Sequence, residues 1–343
     1  MSEPLEQPAT AIPPYSHPTT VVFVDDNDLF LHTLDLRMPT EMAHQCYHNP
    51  RHALERVNQP LALRPIPERC FSTPAKSLHW NDTIIRFDLG LIEQEISNME
   101  RFRRTSVVIA DFAMPAMDGL SLLTSINDPS VKTVLMSGAG DEKLALEAFN
   151  EGVIDRYIPK NRSTTLDMVV DYAQELQREY FFDQQRAIQE SLSLNPPDLL
   201  QDPAVFQHFS ALRKRHRFVE HYLVGDPPGF MFVTAKGLVH RLILLSDSEV
   251  SQQVAYATFN GAPADVVEAL SMRTHIGFFS ELAENYGDEL YPWRDFLYPP
   301  IRLDGNRTWW AALISNPPTE IDFRAVESSF DAYLDEIDAA IRR

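Results

Sequence analysis

The sequence predicts a doubly wound α/β fold, a parallel sheet with helices on both faces, followed by a smaller α+β domain. Two observations carry this. The short β-branched runs Val21–Val24, Ser106–Ala110, Val131–Met136 and Val153–Ile158 are separated by segments of helical length, the pattern of buried strands joined by crossover helices. Each run also ends on a chemically capable residue: Asp25 and Asp26, Asp111, Ser137 and Lys160. In an open parallel sheet, ligands bind outside the carboxyl ends of the strands. The four strand ends therefore converge on one pocket.

The strand Ser106–Ala110 delivers Asp111 to a turn and is stopped by Pro115 and Gly119. A carboxylate so placed suits a nucleophile or a metal ligand. With Asp25 and Asp26 on the same rim, the three carboxylates repel one another unless a hard divalent cation sits among them. Mg²⁺ suits such a site, because it takes oxygen ligands from one or two carboxylates and keeps waters for a phosphoryl substrate.

The acidic pair Asp25-Asp26, the turn Asp111-x-x-Met114-Pro115-x-x-Asp118-Gly119, the strand-end Ser137 and the ending Tyr157-x-x-Lys160 together resemble the receiver domain of two-component response regulators. The resemblance implies a five-stranded, flavodoxin-like receiver over about residues 20–165. It implies Asp111 as phosphoacceptor, served by a sensor histidine kinase or a histidine phosphotransfer protein. Asp25, Asp26, Asp111 and the Ala113 carbonyl would hold Mg²⁺. Lys160 would stabilise the transferring phosphoryl group, and Ser137 and Tyr157 would respond to it. The sequence departs from the family in places: Pro159 precedes Lys160 rather than following it, and Gly138 follows Ser137. Ala113 and Ala139 stand where family members influence the hydrolytic water. Neither methyl group hydrogen-bonds water, which predicts slow loss of the phosphoryl group.

Asp26 and Asp111 stand much further apart than the resemblance leads one to expect, which predicts an insertion near residues 58–88. Its start, Gln59-Pro60 to Pro65-Ile66-Pro67, is too proline-rich for a helix or central strand. Thr83–Phe87 reads as a short strand. Ile92, Ile96, Met99 and Phe102 recur at helical spacing and predict the receiver's second helix.

Composition narrows the function classes. The formal net charge is −19, from 49 acidic and 30 basic residues, which argues against nucleic acid as the main partner. The basic cluster Arg213-Lys214-Arg215-His216-Arg217 reads as a solvated helix face. Two cysteines, Cys46 and Cys70, offer no disulfide framework and suit a reducing, cytoplasmic setting. Residues 1–19 carry Pro4, Pro8, Pro13, Pro14 and Pro18 and read as a disordered N-terminus. No stretch suggests a membrane span.

Beyond the receiver, residues 166–199 read as a helical connector. Leu166, Val169, Ala173, Leu176 and Tyr180 alternate at spacings of three and four, a coiled-coil seam. Two readings compete: a homodimer through 166–192, or a helix packed on its own chain. Residues 200–343 read as an α+β output domain. A hairpin from Gly229 to Ser246 turns at Lys236-Gly237, a second from Ile301 to Ser315 turns at Asp304-Gly305, and an acidic amphipathic helix runs from Ile321 to Ile341. Glu268-Ala269-Leu270 spells a cyclic-dinucleotide phosphodiesterase signature, but without the further acidic ligands it reads as chance. Trp309 and Trp310 read as core or interface, and His44, Cys46 and His48 as ordinary strand residues rather than a metal site.

The leading expectation is therefore a phosphorelay response regulator that switches an acidic output domain by dimerisation or protein contact. Enzymatic activity is not expected beyond the receiver's own phosphorylation and dephosphorylation. The alternatives are transcriptional control by DNA binding and an enzymatic output acting on a nucleotide.

Overall fold

A computed structural model describes residues 12–72, 86–87, 90, 92, 95–138, 140–193, 198–279, 292–317 and 329–341. The chain divides into two compact units, with crossings after Ser16, Glu68, Ser97, Ala187 and Ser329. Each unit is thus built from segments far apart in sequence. Among the described residues, no helix is long and apolar enough to cross a membrane.

The first unit holds a five-stranded sheet of β1 (Thr20–Val24), β2 (His44–Tyr47), β3 (Thr105–Asp111), β4 (Lys132–Ser137) and β5 (Arg156–Pro159). The spatial order is β2-β1-β3-β4-β5, and every pairing is parallel. This is the flavodoxin-like order, with its switch point between β1 and β3. Alternation along the strands fills two cores. Val21, Phe23, Val107, Ile109, Val134 and Met136 face α1 (Asp28–Asp35) and α5 (Thr165–Ser193). Val22, Val24, Val108, Ala110 and Leu135 face α2 (Pro50–Val57), α3 (Gly119–Thr124) and α4 (Glu142–Asn150). Burying each such side chain contributes about 1.5–3 kcal/mol, which is why the strands lack a polar face.

Several expectations need correction here. The second helix is α2, directly after β2, so it precedes the inserted stretch. Asn49 caps it, accepting from the Arg51 amide at 2.9 Å, and Pro50 starts it. The stretch around Ile92 to Phe102 buries Ile92, Ile96 and Phe102 but exposes Met99, and it forms 3₁₀ turns at Glu95–Ser97 and Arg101–Arg103. Asn98 explains the break: its side chain accepts from the Glu100 amide at 3.1 Å, a local bond that competes with helix propagation. The inserted stretch contributes a short helix, Ile66–Cys70, and an antiparallel pairing of Phe71–Ser72 with Arg86–Phe87. Residues 83–85 of the expected strand lie outside the described residues.

The seam on α5 is occupied within the unit. Val169, Ala173 and Leu176 join the core under β1, β3 and β4, and Tyr180 is buried. Ion pairs hold the helix there: Arg156 to Glu175 at 3.1 Å and Glu179 at 2.7 Å, and Lys132 to Asp183 at 2.6 Å. Over Val169 to Tyr180 the helix packs on its own chain, as the second of the two readings has it. Seam residues Val169 to Tyr180 are not exposed for self-pairing.

The helix Phe330–Ile341 also belongs to this unit. The Tyr333 hydroxyl meets Thr20 Oγ1 at 2.6 Å, Phe102 packs against the rings of Phe330 and Tyr333, and Glu336 pairs with Arg103. Its position in the sequence assigns this helix to the output domain; its contacts assign it to the first unit. Of its expected span from Ile321, residues 321–328 lie outside the described residues.

The second unit is an antiparallel sheet of β6 (Phe218–Val224), β7 (Gly229–Thr234), β8 (Val239–Ser246), β9 (Ile301–Asp304) and β10 (Thr308–Ser315). The order is β6-β7-β8-β10-β9, and the short strand Tyr15–Ser16 is added beside β6. Helix α6 (Pro203–His216) packs its Phe209 among Phe230, Phe232 and Trp309 on one face. Helix α7 (Asp247–Phe259) sets Val250 against Ile243, Leu245 and Ala312 on the other, and α8 (Ala264–Ser271) follows it. Residues 12–19 are therefore ordered, contrary to the expectation of a disordered segment. Ile12 is buried, and the Leu223 amide donates to the Pro14 carbonyl at 2.6 Å. Proline is tolerated there because the strand lies at the sheet edge. Residues 1–11 lie outside the described residues.

Asp202 ties the second unit together. It caps α6, accepting from the Ala204 amide at 2.9 Å, and its other oxygen accepts from the Asn306 amide at 2.8 Å and from Trp309 Nε1 at 2.9 Å. A Cβ at Gly305 would stand 1.8 Å from Asp202 Oδ1, so the hairpin turn between β9 and β10 requires glycine there. Burial pushes the Asp202 carboxyl up, but the indole and amide donors outweigh it and hold it below its usual 3.8.

Candidate functional site

The site lies at the carboxyl ends of β1, β3, β4 and β5. β1 continues into Asp25, whose amide donates to the Tyr47 carbonyl at 3.1 Å. The Asn27 amide then donates to Asp25 Oδ1 at 3.0 Å, and Asn27 caps α1 through the Phe30 amide. The carboxylate of Asp25 is thereby aimed while the chain turns into a helix. Asp111 closes β3, and after it the Phe112 amide bonds the Met136 carbonyl at 2.7 Å and the Gly119 amide bonds the Phe112 carbonyl at 3.0 Å. A Cβ on Gly119 would come within 2.1 Å of the Asp111 carbonyl oxygen. Asp118 caps α3 through the Ser121 amide at 2.8 Å, and that bond lowers its carboxyl. Ala116, between them, takes a left-handed φ of 69°, a conformation that costs a non-glycine residue about 1–2 kcal/mol.

Carboxylate oxygens of Asp25, Asp26 and Asp111 lie within 4.8 Å of one another. Asp25 and Asp111 are buried and Asp26 is exposed. The Lys160 ammonium reaches both buried acids, at 2.5 Å from Asp25 Oδ2 and 2.9 Å from Asp111 Oδ1. It also stands 5.1 Å from the centre of the Phe30 ring, within the range of a cation–π contact. Lys160 is anchored by its own amide, which donates to the Ser137 carbonyl at 2.8 Å. Burial raises the Asp25 carboxyl above 3.8; the Lys160 and Asn27 hydrogen bonds pull it back, and Asp111 adds to the rise. Three carboxylates against this one ammonium leave negative charge uncompensated in a partly buried cradle of oxygens. That donor set fits a hard divalent cation.

The remaining residues singled out from the sequence fall around this cradle. Ser137 is fully buried, and its Oγ donates to the Tyr157 hydroxyl at 3.1 Å. Ala113 lies exposed in the turn after β3, and Ala139 lies outside the described residues. Sequence reasoning passed over Asn27 and Phe30; the asparagine just ahead of an apolar helical run was a legible cap signal.

Other motifs prove structural. Glu268 is exposed on α8 and Leu270 is core. His44 bonds Asp35 at 2.9 Å, and burial pushes the Cys46 thiol up to about 12. Among the described residues, the three aspartates form the one cluster of metal-ligating side chains. Trp309 is buried beside Asp202. Lys214, Arg215 and Arg217 are exposed at the end of α6, where basic residues complement the helix dipole.

Comparison with known proteins agrees with this geometry. Residues 92–169 match the family model described as the response regulator receiver domain. The solved structure of the Legionella pneumophila response regulator LqsR is similar over 96% of this chain and 97% of that one, with 29% identity and a TM-score of 0.70. An adenylate cyclase structure from Rhodopirellula baltica aligns over 52% of this chain and 98% of its own, with 17% identity and a TM-score of 0.34. The receiver domain of the Francisella response regulator 1452 aligns over 47% and 98%, with 15% identity and a TM-score of 0.31. No curated protein matches the chain.

Proposed function

We propose that the chain is a phosphorelay switch of two-component signalling, whose receiver domain, matched over residues 92–169, takes the phosphoryl group on Asp111. The observation that carries this reading is the Lys160 ammonium set between Asp25 and Asp111, with Asp26 at the rim. A sensor histidine kinase or histidine phosphotransfer protein presents a phosphohistidine. An Asp111 oxygen attacks phosphorus in line, the P–N bond breaks, and the imidazole leaves. Asp25, Asp26, Asp111 and the Ala113 carbonyl would hold Mg²⁺, which supplies charge neutralisation at the phosphoryl oxygens. Lys160 offers its ammonium to the same developing charge, and the buried floor excludes water. Catalysis here is positioning and electrostatics.

The acyl phosphate then presents new acceptors beside β4 and β5. Ser137 Oγ turns from Tyr157 toward the phosphoryl group, so a local change of charge biases the β5 surface. With the α5 seam occupied within its own unit, the output is better carried by protein contact than by self-pairing of that helix. The acidic composition and the lack of a membrane-spanning helix among the described residues suit a cytoplasmic signalling protein.

The test is size-exclusion chromatography with light scattering on wild type and Asp111→Asn, with and without beryllofluoride and Mg²⁺, alongside intact mass after acetyl phosphate. The expected result is one phosphoryl group on wild type, none on the variant, and an Mg²⁺-dependent change in mass or shape confined to wild type. A wild type left unmodified under these conditions overturns the reading.

A further inference from the structure

We infer that β9, at the edge of the second unit's sheet, pairs antiparallel with β9 of a second copy of this chain, in a register centred on Leu303 that sets Arg302 of each strand opposite Asp304 of the other. The inference rests on this edge and not on the receiver chemistry.

One side of β9 is bonded to β10, and among the described residues no strand pairs with its other side. Such an edge is a template for a further strand. In the full chain it is open: Ile301 is 48% exposed, and the side chains of Arg302 and Asp304 are 58% and 67% exposed. The opposite edge of the sheet differs, because it ends in the two-residue strand Tyr15–Ser16, with Pro13 and Pro14 before it and Pro18 after it. Proline has no amide hydrogen to give a further strand.

Charges on an edge strand ordinarily guard it against pairing. Here the two charges are of opposite sign and, standing two residues apart, share one face of the strand. Within the chain Arg302 uses only Nε, which donates to Asp304 Oδ1 at 2.9 Å, and Thr308 Oγ1 reaches the same oxygen at 3.5 Å. Among the described residues, the Arg302 Nη1 and Nη2 groups and Asp304 Oδ2 have no hydrogen-bond partner. An exposed pair of this kind contributes little by itself, and its unused donors and acceptor are available to another chain.

The register follows from the same residues. Opposed residues of an antiparallel pair point to one face, so a symmetric pairing must centre on a residue. Centred on Arg302 it would set two guanidinium groups against each other, and centred on Asp304 two carboxylates. Centred on Leu303, both cross-strand pairs join opposite signs, which is the stabilising arrangement. Pro299 and Pro300 bar a register that slides past the start of the strand. On the other face Leu303 packs against the core under α6, and Ile301 would lie diagonal to Leu303 of the second copy, within its reach. Pairing would thus cover the exposed apolar side chain of β9.

The test is sedimentation equilibrium of the full chain, with no phosphodonor present, at physiological ionic strength. A four-residue edge makes a small interface, so the expected result is a weak dimer with a dissociation constant on the order of 100 µM, the same in Asp111→Asn. Arg302→Asp and Asp304→Arg, both at exposed side chains, should each weaken association about tenfold or more, since each sets like charges across the centre, with unchanged circular dichroism. An equimolar mixture of the two variants should associate again, because one strand then carries two carboxylates and the other two guanidinium groups. Asp304→Arg also reduces the chain's net negative charge, so its weakening runs against general charge repulsion. The inference is overturned if wild type stays monomeric up to about 1 mM, if association is lost in Asp111→Asn, if the charge variants associate as wild type does, or if their mixture does not associate.

Discussion

Ser137 Oγ donates a hydrogen bond to the Tyr157 hydroxyl at 3.1 Å, joining the end of β4 to β5. The serine is fully buried, so its hydroxyl has few partners to choose from. A phosphoryl group on Asp111 would add a charged acceptor, and hydrogen bonds to charged groups are the stronger kind. The pair is thus poised to exchange one bond for another.

Ser137→Ala should separate chemistry from signalling. Phosphoryl uptake from acetyl phosphate should stay within about threefold of wild type, because positioning and electrostatics at Asp111 are untouched. The beryllofluoride-dependent shift of the Tyr157 ring resonances should vanish. A shift of wild-type size in the variant would show that Ser137 does not link the two.

Lys160 is paired with both Asp25 and Asp111, and in the proposed chemistry its ammonium faces the transferring phosphoryl group. Lys160→Ala should reduce the rate of phosphoryl uptake about a hundredfold or more, the scale found when one charge-stabilising donor is removed from an active site. Radiolabel incorporation over time measures this directly. Uptake at the wild-type rate would remove Lys160 from the chemistry.

Gly119 leaves no room for a side chain, since a Cβ would stand 2.1 Å from the Asp111 carbonyl oxygen. Backbone cannot yield as a flexible side chain can. Gly119→Ala should destabilise the protein by about 1–3 kcal/mol, read as a lower urea midpoint. Any stable fraction should also accept phosphate poorly, because relief of the clash moves the end of β3.

Asp202 gives a pH dependence of definite sign. Its folded carboxyl lies below 3.8, so ionised Asp202 stabilises the protein above that value. The contribution is lost as pH falls below 3.8 through the folded value. Asp202→Asn should cost about 1–3 kcal/mol near pH 7, because its amide sets donors against the Trp309 indole and the Asn306 amide. The gap between variant and wild type, from urea unfolding at several pH values, should narrow only in that acid range.

Cys46 should be chemically silent. With its thiol pushed up to about 12 by burial, almost no thiolate exists at pH 8. Iodoacetamide followed by peptide mapping should leave Cys46 unlabelled in the native protein and label it fully in urea. Rapid native labelling would contradict a thiol held this far above its ordinary value by its half-buried setting and the nearby Asp35.

Much of the parallel sheet could be read from the chain because its signals are local. Val21–Val24 and Asp25-Asp26, or the strand before Asp111 with Pro115 and Gly119 after it, place strand, turn and carboxylate within a few residues. The spacing of Tyr157 and Lys160 worked in the same way. What escaped was decided by partners distant in sequence. Phe330, Tyr333 and Glu336 make a visible amphipathic pattern, yet nothing local assigns their apolar face to Phe102 and Thr20. The alternation on α5 marks an apolar stripe, but periodicity alone does not say which surface covers it. Near Ile92 the apolar spacing suggests a helix, and one asparagine side chain accepting from the Glu100 amide is enough to break it.

The meeting of Thr20 with Tyr333 also has a bearing on synthesis. During translation, β1 leaves the ribosome long before its buried hydroxyl partner has been made, so the first unit cannot reach its final packing until the helix carrying Tyr333 emerges. Early strands must wait with apolar surface uncovered, a condition that favours association with chaperones. A stop codon placed just ahead of Phe330 would therefore be expected to leave a nascent first unit that aggregates, even though Asp25, Asp26, Asp111 and Lys160 were all in place.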